Sequence, residues 1–174
     1  ADLAWSLKNQ GRIINGTWLD HDLVGYNYHL SDISSALVLS QLGRVNEILK
    51  KRAKIAEAYN KALCDLRGIH LLDIPADVKI SWFVYVVRLS KEYTRSDRDR
   101  VIKELSKRGI VARIYFPPIH YQKVFREKLG YKVGDFPIAE DVGSRTIALP
   151  FHANLKKEEI EYVVRNFKEA LAKV

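Results

Sequence analysis

The chain has 174 residues, 47% of them hydrophobic and 29% charged, and a formal net charge of +8. That much apolar material supports one real core with a projecting arm or a small second lobe, and the basic balance favours an acidic partner without naming one. One cysteine excludes an intrachain disulfide, and no apolar run approaches a membrane span, so a reducing cytoplasm is the default compartment.

Residues from Ala1 to about Asn9 read as the end of a helix closed by Gly11, and Asn15-Gly16 is a turn signal. A helix that opens without a capping lead-in gives the expectation that the sequence starts inside a larger protein. Gly25-Tyr26-Asn27-Tyr28-His29-Leu30-Ser31-Asp32 follows, a polar turn feeding the longest helical pattern in the chain. Ser31 or Asp32 can cap the first free amides. Ile33, Leu37, Val45, Ile48, Ile55 and Tyr59 then recur at helical spacing as far as Leu63, with Gly43 as a point for a bend. A helix start of this kind favours an anion, so the turn is either an ordinary capped end or one that presents Asn27 and His29 to a ligand. Lys50-Lys51-Arg52 with Lys54 reads as a solvent face, and Cys64 as a buried structural thiol.

Ile69 to Ile74 reads as a short strand. Trp82-Phe83-Val84-Tyr85-Val86-Val87-Arg88-Leu89 is the clearest strand, aromatic and β-branched throughout, which implies cover on both faces at least in part. Ser96 and Asp99 have capping-box spacing and start a helix that runs through Val101, Ile102 and Leu105 to Gly109. Ile110 to Tyr115 is a further strand, stopped by Pro117-Pro118. A short helix is expected from Gln122 to Lys128, with turns at Gly130 and Gly134. Arg145 to Pro150 forms a third strand of the second half. Asn154 caps a final helix whose apolar side is Ile160, Val163, Val164, Phe167 and Leu171. Strand, helix, strand, strand, helix is an α/β pattern, most economically a small sheet covered by helices.

Several chemistries find no support. Five dispersed histidines and one cysteine give no compact metal-ligand spacing, and there is no Walker A sequence. Asp65, Asp73 and Asp77 read as solvated. A nucleic-acid role is disfavoured because no recognition helix or dense basic stripe is present. The constellation Arg113-Ile114-Tyr115-Phe116-Pro117-Pro118-Ile119-His120-Tyr121 stands apart. Here a strand leaves the sheet and two prolines stiffen its exit, so a guanidinium, a phenol and an imidazole share one region at small entropic cost. They suit charge pairing and recognition of sugar hydroxyls. Alternatively, Tyr115 and Phe116 close the core while His120 packs at its edge. Phe151-His152 repeats the strand exit and reads as packing.

The turn Gly25 to Ile33, the strand Ser81 to Leu89, Tyr115-Phe116-Pro117-Pro118-Ile119-His120 and Gly134-Asp135-Phe136-Pro137, in that order, resemble the DegT/DnrJ/EryC1/StrS aminotransferases, nearest the perosamine-synthase-like branch. The resemblance implies the small C-terminal α/β domain of a fold-type I pyridoxal-phosphate-dependent transferase: a mainly antiparallel sheet with covering helices, reached by a long connecting helix. It implies residues 1–30 as a connector from the large domain, 31–66 as the helix and 67–174 as the small domain. The large cofactor domain, its Schiff-base lysine and its pyridine-facing aspartate are implied to lie outside this sequence; Lys8, beside Asn9-Gln10, does not stand in the lysine motif. No covalent pyridoxal phosphate is therefore expected on this chain alone. The implied partners are that large domain or subunit, a second copy in a homodimer, a nucleotide-linked keto sugar and an amino donor. Asn27 matches a cofactor-phosphate contact made across the dimer, and His29 stands where an arginine is common. Arg113, Tyr115 and His120 match a segment that lines the substrate side. A non-catalytic assembly or regulatory module derived from the family is the competing expectation.

Overall fold

The computed structural model describes residues 1–15 and 20–174, so the Gly16 half of the expected Asn15-Gly16 turn lies outside the described residues. The chain divides into two compact units, Ala1–Val45 and Asn46–Val174.

In the first unit, α1 (Asp2–Lys8) is followed by a residue pair in left-handed conformation, Gln10 and Gly11. The chain then returns so that residues 26–28 run antiparallel to residues 7–10. Tyr26 N–H donates to the Leu7 carbonyl at 2.6 Å, Gln10 N–H to that of Tyr26 at 2.8 Å, and Tyr28 N–H to that of Lys8 at 2.9 Å. Two glycines permit this approach. A Cβ on Gly11 would lie 1.7 Å from the Leu23 carbonyl oxygen, and one on Gly25 would lie 2.2 Å from the Gly11 nitrogen. Ser31 caps α2 (Asp32–Gly43) by accepting from Ser34 N–H at 3.3 Å.

The helical pattern expected from Ser31 to Leu63 is two helices, not one. It breaks at Arg44, one residue after Gly43, and resumes as α3 (Val45–Leu63). Helix α3 is amphipathic, burying Ile55, Ala56, Tyr59 and Leu63. Helix α2 buries none of its residues: Ile33, Leu37, Val38, Leu39 and Leu42 are all exposed and point in every direction round the axis.

The second unit is a four-stranded antiparallel sheet flanked by helices. The strands are β1 (Ile69–His70), β2 (Tyr85–Leu89), β3 (Arg113–Ile114) and β4 (Thr146–Leu149), in spatial order β1-β2-β4-β3. The core lies on one face. There Tyr85, Val87 and Leu89 of β2 and Ile147 and Leu149 of β4 pack with α3, α4 (Arg95–Lys107) and α7 (Lys157–Leu171). Phe167 and Leu63 are fully buried in it. The alternate residues Val84, Val86 and Arg88 face outward and are half-buried. The expectation of cover on both faces at least in part therefore holds, with the inner face fully buried and the outer face half-buried.

Strands are shorter than expected for local reasons. Tyr85 pairs with Leu149, so Val84 would face Pro150, which has no N–H to donate, and the ladder stops there. Ile110 N–H closes the end of α4 on the Leu105 carbonyl at 3.0 Å, which takes residues 110–112 out of β3. The α4 cap is Thr94 with Asp97, two residues before the expected pair: Asp97 N–H donates to Thr94 Oγ1 at 3.3 Å and Thr94 N–H to the Asp97 carboxylate at 2.9 Å. Helix α7 begins after Lys156, whose N–H donates to Glu159 at 2.7 Å, so Asn154 is not its cap. Cys64 is exposed rather than buried, because it follows the last turn of α3. Helices α5 (Lys123–Leu129) and α6 (Pro137–Arg145) complete the unit; α6 had no counterpart in the sequence reading. Among the described residues, no helix is long and apolar enough to cross a membrane.

Candidate functional site

The residues singled out from sequence fall in both units. In the first, Asn27 is held by its backbone, which pairs with Asn9 in an isolated antiparallel bridge. Its side chain is exposed and makes no hydrogen bond among the described residues, leaving the amide N–H groups free as donors. His29 is committed differently. Its Nε2 lies 2.8 Å from Oδ1 of the buried Asn9, an oxygen that only accepts, so Nε2 carries the proton. When the ring is neutral, Nδ1 then has a lone pair and no hydrogen, and cannot donate to an anion. The rings of Tyr26 and Tyr28 stack beside this bridge at 4.9 Å with 3° between planes, both exposed.

In the second unit, Arg113, Tyr115 and His120 go to three environments. Arg113 is exposed at the sheet edge and lines a shallow cleft with Asp99, Lys103 and Lys107 of α4. Tyr115 lines a cavity on the outer face of the sheet, its ring stacked on Phe116 at 4.1 Å, and its carbonyl accepts from Thr146 Oγ1 at 2.7 Å. His120 is 5% exposed and lies in a 3-10 turn, Ile119–Tyr121, with Nε2 2.8 Å from Glu140 Oε1. His120 thus packs and bonds inside the loop, while Arg113 and Tyr115 keep surfaces that a ligand can reach.

Glu140, on α6, was not found from sequence. Its carboxylate accepts from Gly134 N–H at 2.8 Å, Phe136 N–H at 3.4 Å, His120, and the Tyr121 hydroxyl. Burial alone would raise its pKa, but these four donors together hold it below the ordinary carboxylate value. One side chain therefore ties the strand-exit loop to the Gly134–Phe136 turn. The available signal was Pro137 at a helix start, followed three residues on by an acid in the first turn.

The outer-face cavity has a volume of about 600 Å³. Its floor is Val84, Val86, Arg88 and Thr146; Leu71, Leu72, Ile80, Trp82 and Phe83 form one wall, and Tyr115 with Val142 the other. Such a size and apolar lining with few polar groups suit a small organic ligand. Toward Arg88 it runs on into a more polar cleft lined by His70, Ser90, Lys91, Glu92, Asp141 and Arg145.

The DegT/DnrJ/EryC1/StrS aminotransferase family profile matches residues 1–168. The chain belongs to this family. It is 31% identical over 159 residues to the uncharacterized protein MJ1066 of Methanocaldococcus jannaschii, covering 90% of this chain and 41% of that one. It is 29% identical over 168 residues to GDP-perosamine synthase of Escherichia coli O157:H7, covering 97% and 43%. The PLP-form structure of the sugar aminotransferase Spr1654 from Streptococcus pneumoniae superimposes with a TM-score of 0.88 at 27% identity, over 97% of this chain and 42% of that one. The chain thus spans less than half the length of these relatives, and its small α/β unit is one part of the larger aminotransferase fold.

For a pyridoxal phosphate, the residues present fit in part. The free Asn27 amide suits a phosphate oxygen. His29 turns Nε2 to Asn9 and so serves the turn itself.

Proposed function

We propose that the chain is the C-terminal portion of a pyridoxal-phosphate-dependent aminotransferase that delivers an amino group to a nucleotide-linked keto sugar, in the manner of the perosamine-synthase-like branch. The family match across nearly the whole chain carries this reading. Names of relatives such as GDP-perosamine synthase and UDP-4-amino-4-deoxy-L-arabinose–oxoglutarate aminotransferase support the substrate class. When bound, the cofactor would supply the electron sink that lets an amino group move between donor and acceptor.

This chain's own part is positional. Asn27 donates an amide N–H to the cofactor phosphate, reaching it across a homodimer from a backbone pinned by the Asn9 bridge. His29 secures that turn through Asn9. Arg113 and Tyr115 present a guanidinium and a phenol to the sugar nucleotide. His120 acts through the loop, fixing the path of residues 115–121 against Glu140. The reacting lysine comes from the large domain, residues 1–30 connect to it, residues 31–66 form the linking helical region, and residues 67–174 are the small domain of a cytoplasmic enzyme. The chain alone is then inactive and binds no cofactor covalently.

Helix α2 supports the need for a partner. A helix that is apolar all round is stable only when buried all round. Ile33 is 85% exposed and Leu39 71% exposed here, so this helix lacks the surroundings its composition requires. A second reading, a non-catalytic assembly module, draws on the same observation. Co-expression with the N-terminal half of the family fold separates the two. Aminotransferase function predicts amino transfer to a nucleotide-linked 4-keto sugar by the complex and none by either part, with loss of cofactor retention on Asn27→Ala. A stable, correctly folded complex with no transfer favours the assembly role.

A further inference from the structure

Two side chains outside the strand-exit loop, residues 115–121, tie it to the rest of the second unit. At its start, Thr146 Oγ1 donates to the Tyr115 carbonyl at 2.7 Å. At its end, Glu140 accepts from the side chains of both His120 and Tyr121. Between these anchors the loop is poorly covered, with Phe116 63% exposed and Ile119 67% exposed. Its path therefore depends on the anchors more than on burial. The second anchor is the drier one: His120 is 5% exposed and the Glu140 side chain 14%. A buried polar cluster of this kind adds little stability over an apolar substitute and is better suited to selecting one arrangement of the chain.

Helix α6, which carries Glu140, is itself a fixed support. Arg98 Nη1 donates to the Gly143 carbonyl at 2.9 Å and Arg145 Nη1 to that of Leu89, and both guanidiniums are buried. Val142 of the same helix and Tyr115 of the loop make one wall of the outer-face cavity. Glu140 thus belongs to the element that carries half of this wall and holds the loop that carries the other half. The restraint reaches Tyr115 along a stiff path. Pro117 and Pro118 have fixed φ, so residues 116–118 move as one piece with His120. Any shift of that piece carries the Phe116 ring, which stacks on the Tyr115 ring at 4.1 Å.

We propose that Glu140 is a positioning residue for substrate binding: by holding His120 and Tyr121 it sets where the Tyr115 phenol points and how wide the cavity is beside it. The substrate role rests on the reading of Tyr115 given above; the mechanical link from Glu140 to Tyr115 stands on the contacts alone. Glu140 acts through the loop and touches no substrate. Without it the loop visits arrangements in which the phenol is turned away. Apparent affinity then falls by the fraction of molecules in which the phenol is in place. The reacting groups lie outside the loop, so turnover at saturation stays as it is.

Steady-state kinetics of the chain assembled with the N-terminal half of the family fold, with a nucleotide-linked 4-keto sugar varied, tests it. Glu140→Ala should raise KM about tenfold and leave kcat within about twofold. Glu140→Gln keeps an oxygen for the Gly134 and Phe136 N–H groups and should raise KM less. Val163→Ala, which loosens the buried core on α7, should leave KM unchanged. Tyr115→Ala should raise KM by itself, and adding Glu140→Ala to it should raise KM little further, because both changes remove one contact. In NMR spectra of the 174-residue chain, the Tyr115 ring resonances should shift in Glu140→Ala and return most of the way in Glu140→Gln. The proposal is overturned if Glu140→Ala leaves KM or the Tyr115 ring unmoved, if its effect is as large in the Tyr115→Ala background, or if Val163→Ala raises KM as much. Absence of amino transfer by the assembled enzyme would remove the aminotransferase reading, while a Tyr115 ring shift would still support the link from Glu140 to that phenol. Amino transfer with a KM that ignores Glu140 would do the reverse.

Discussion

Replacing Gly143 by alanine should destabilise the second unit through the loop that carries Tyr115 and His120, although alanine is the better helix former. Gly143 is buried in α6, and a Cβ there would meet the Phe116 carbonyl oxygen at 2.8 Å, Pro118 Cδ at 3.2 Å and Pro118 Cγ at 3.3 Å. The first of these is backbone in a segment stiffened by two prolines, so it cannot simply swing aside. The Gly143 carbonyl also accepts from Nη1 of the fully buried Arg98 at 2.9 Å, which resists movement of α6. Overpacking of this kind costs about 1–3 kcal/mol, against a helix-propensity gain of about 1 kcal/mol. The expected net loss is about 0–2 kcal/mol, with a midpoint of about 1 kcal/mol, or roughly 4 °C in Tm for a unit of this size. Urea denaturation read by amide exchange in β2 and α7 measures the loss, and resonances of residues 115–121 should shift. Gly43→Ala is the internal contrast, since its Cβ would meet nothing within 4 Å and should stabilise the end of α2. A Gly143→Ala protein as stable as the parent, with an unmoved loop, would refute the claim that this glycine sets the loop's approach.

Three further outcomes follow from the geometry. Burial raises the Tyr59 and Tyr85 phenols well above their ordinary value of 10.0, so the unfolded chain loses these protons first and stability should fall as pH rises beyond about 10. Tyr59→Phe should flatten that decline in an alkaline denaturation series, and should also cost about 1 kcal/mol at neutral pH by removing its 2.9 Å bond to the Pro150 carbonyl. Glu140 is lowered from 4.5 in the fold, so its contribution is complete above that value and is lost as pH falls through the lower folded value. In Glu140→Gln, the NMR-detected acid opening of residues 115–140 should lose this pH dependence, and an unchanged profile would contradict the assigned clasp. Phe167→Ala empties a fully buried ring position and should cost about 3–5 kcal/mol by chemical denaturation, a large share of a typical domain's stability.

Much of the second unit was legible because its signals are local and repeated. The continuous aromatic and β-branched run contains the strand Tyr85 to Leu89, and the helical spacing from Ile160 to Leu171 survives into the structure with its buried face as expected. Boundaries were less legible because they depend on partners distant in sequence. Nothing near Trp82 says that the ladder must stop opposite Pro150, and nothing near Ile110 says that its N–H is needed by α4. In the 113–121 segment the chemistry of each side chain was readable but not its company. Spacing put Arg113, Tyr115 and His120 in one region, whereas the fold gives them a helix-side cleft, the outer-face cavity and a carboxylate on α6. That carboxylate was hidden because α6 is short and polar enough to read as loop. Arg88 was hidden for the opposite reason: as the one charge in an apolar strand it reads as the strand's edge, and only the register shows it lined up with His70 and Thr146.

Hydrogen exchange of α2, in the isolated chain and after assembly with the N-terminal half of the family fold, tests most directly whether this chain is one part of a divided active site. Amides of residues 34–43 should exchange freely in the chain alone and become strongly protected in the assembly, in step with the appearance of amino transfer. A catalytically competent assembly in which α2 stays unprotected, or amino transfer at an enzyme-like rate by the chain with no companion, would contradict it.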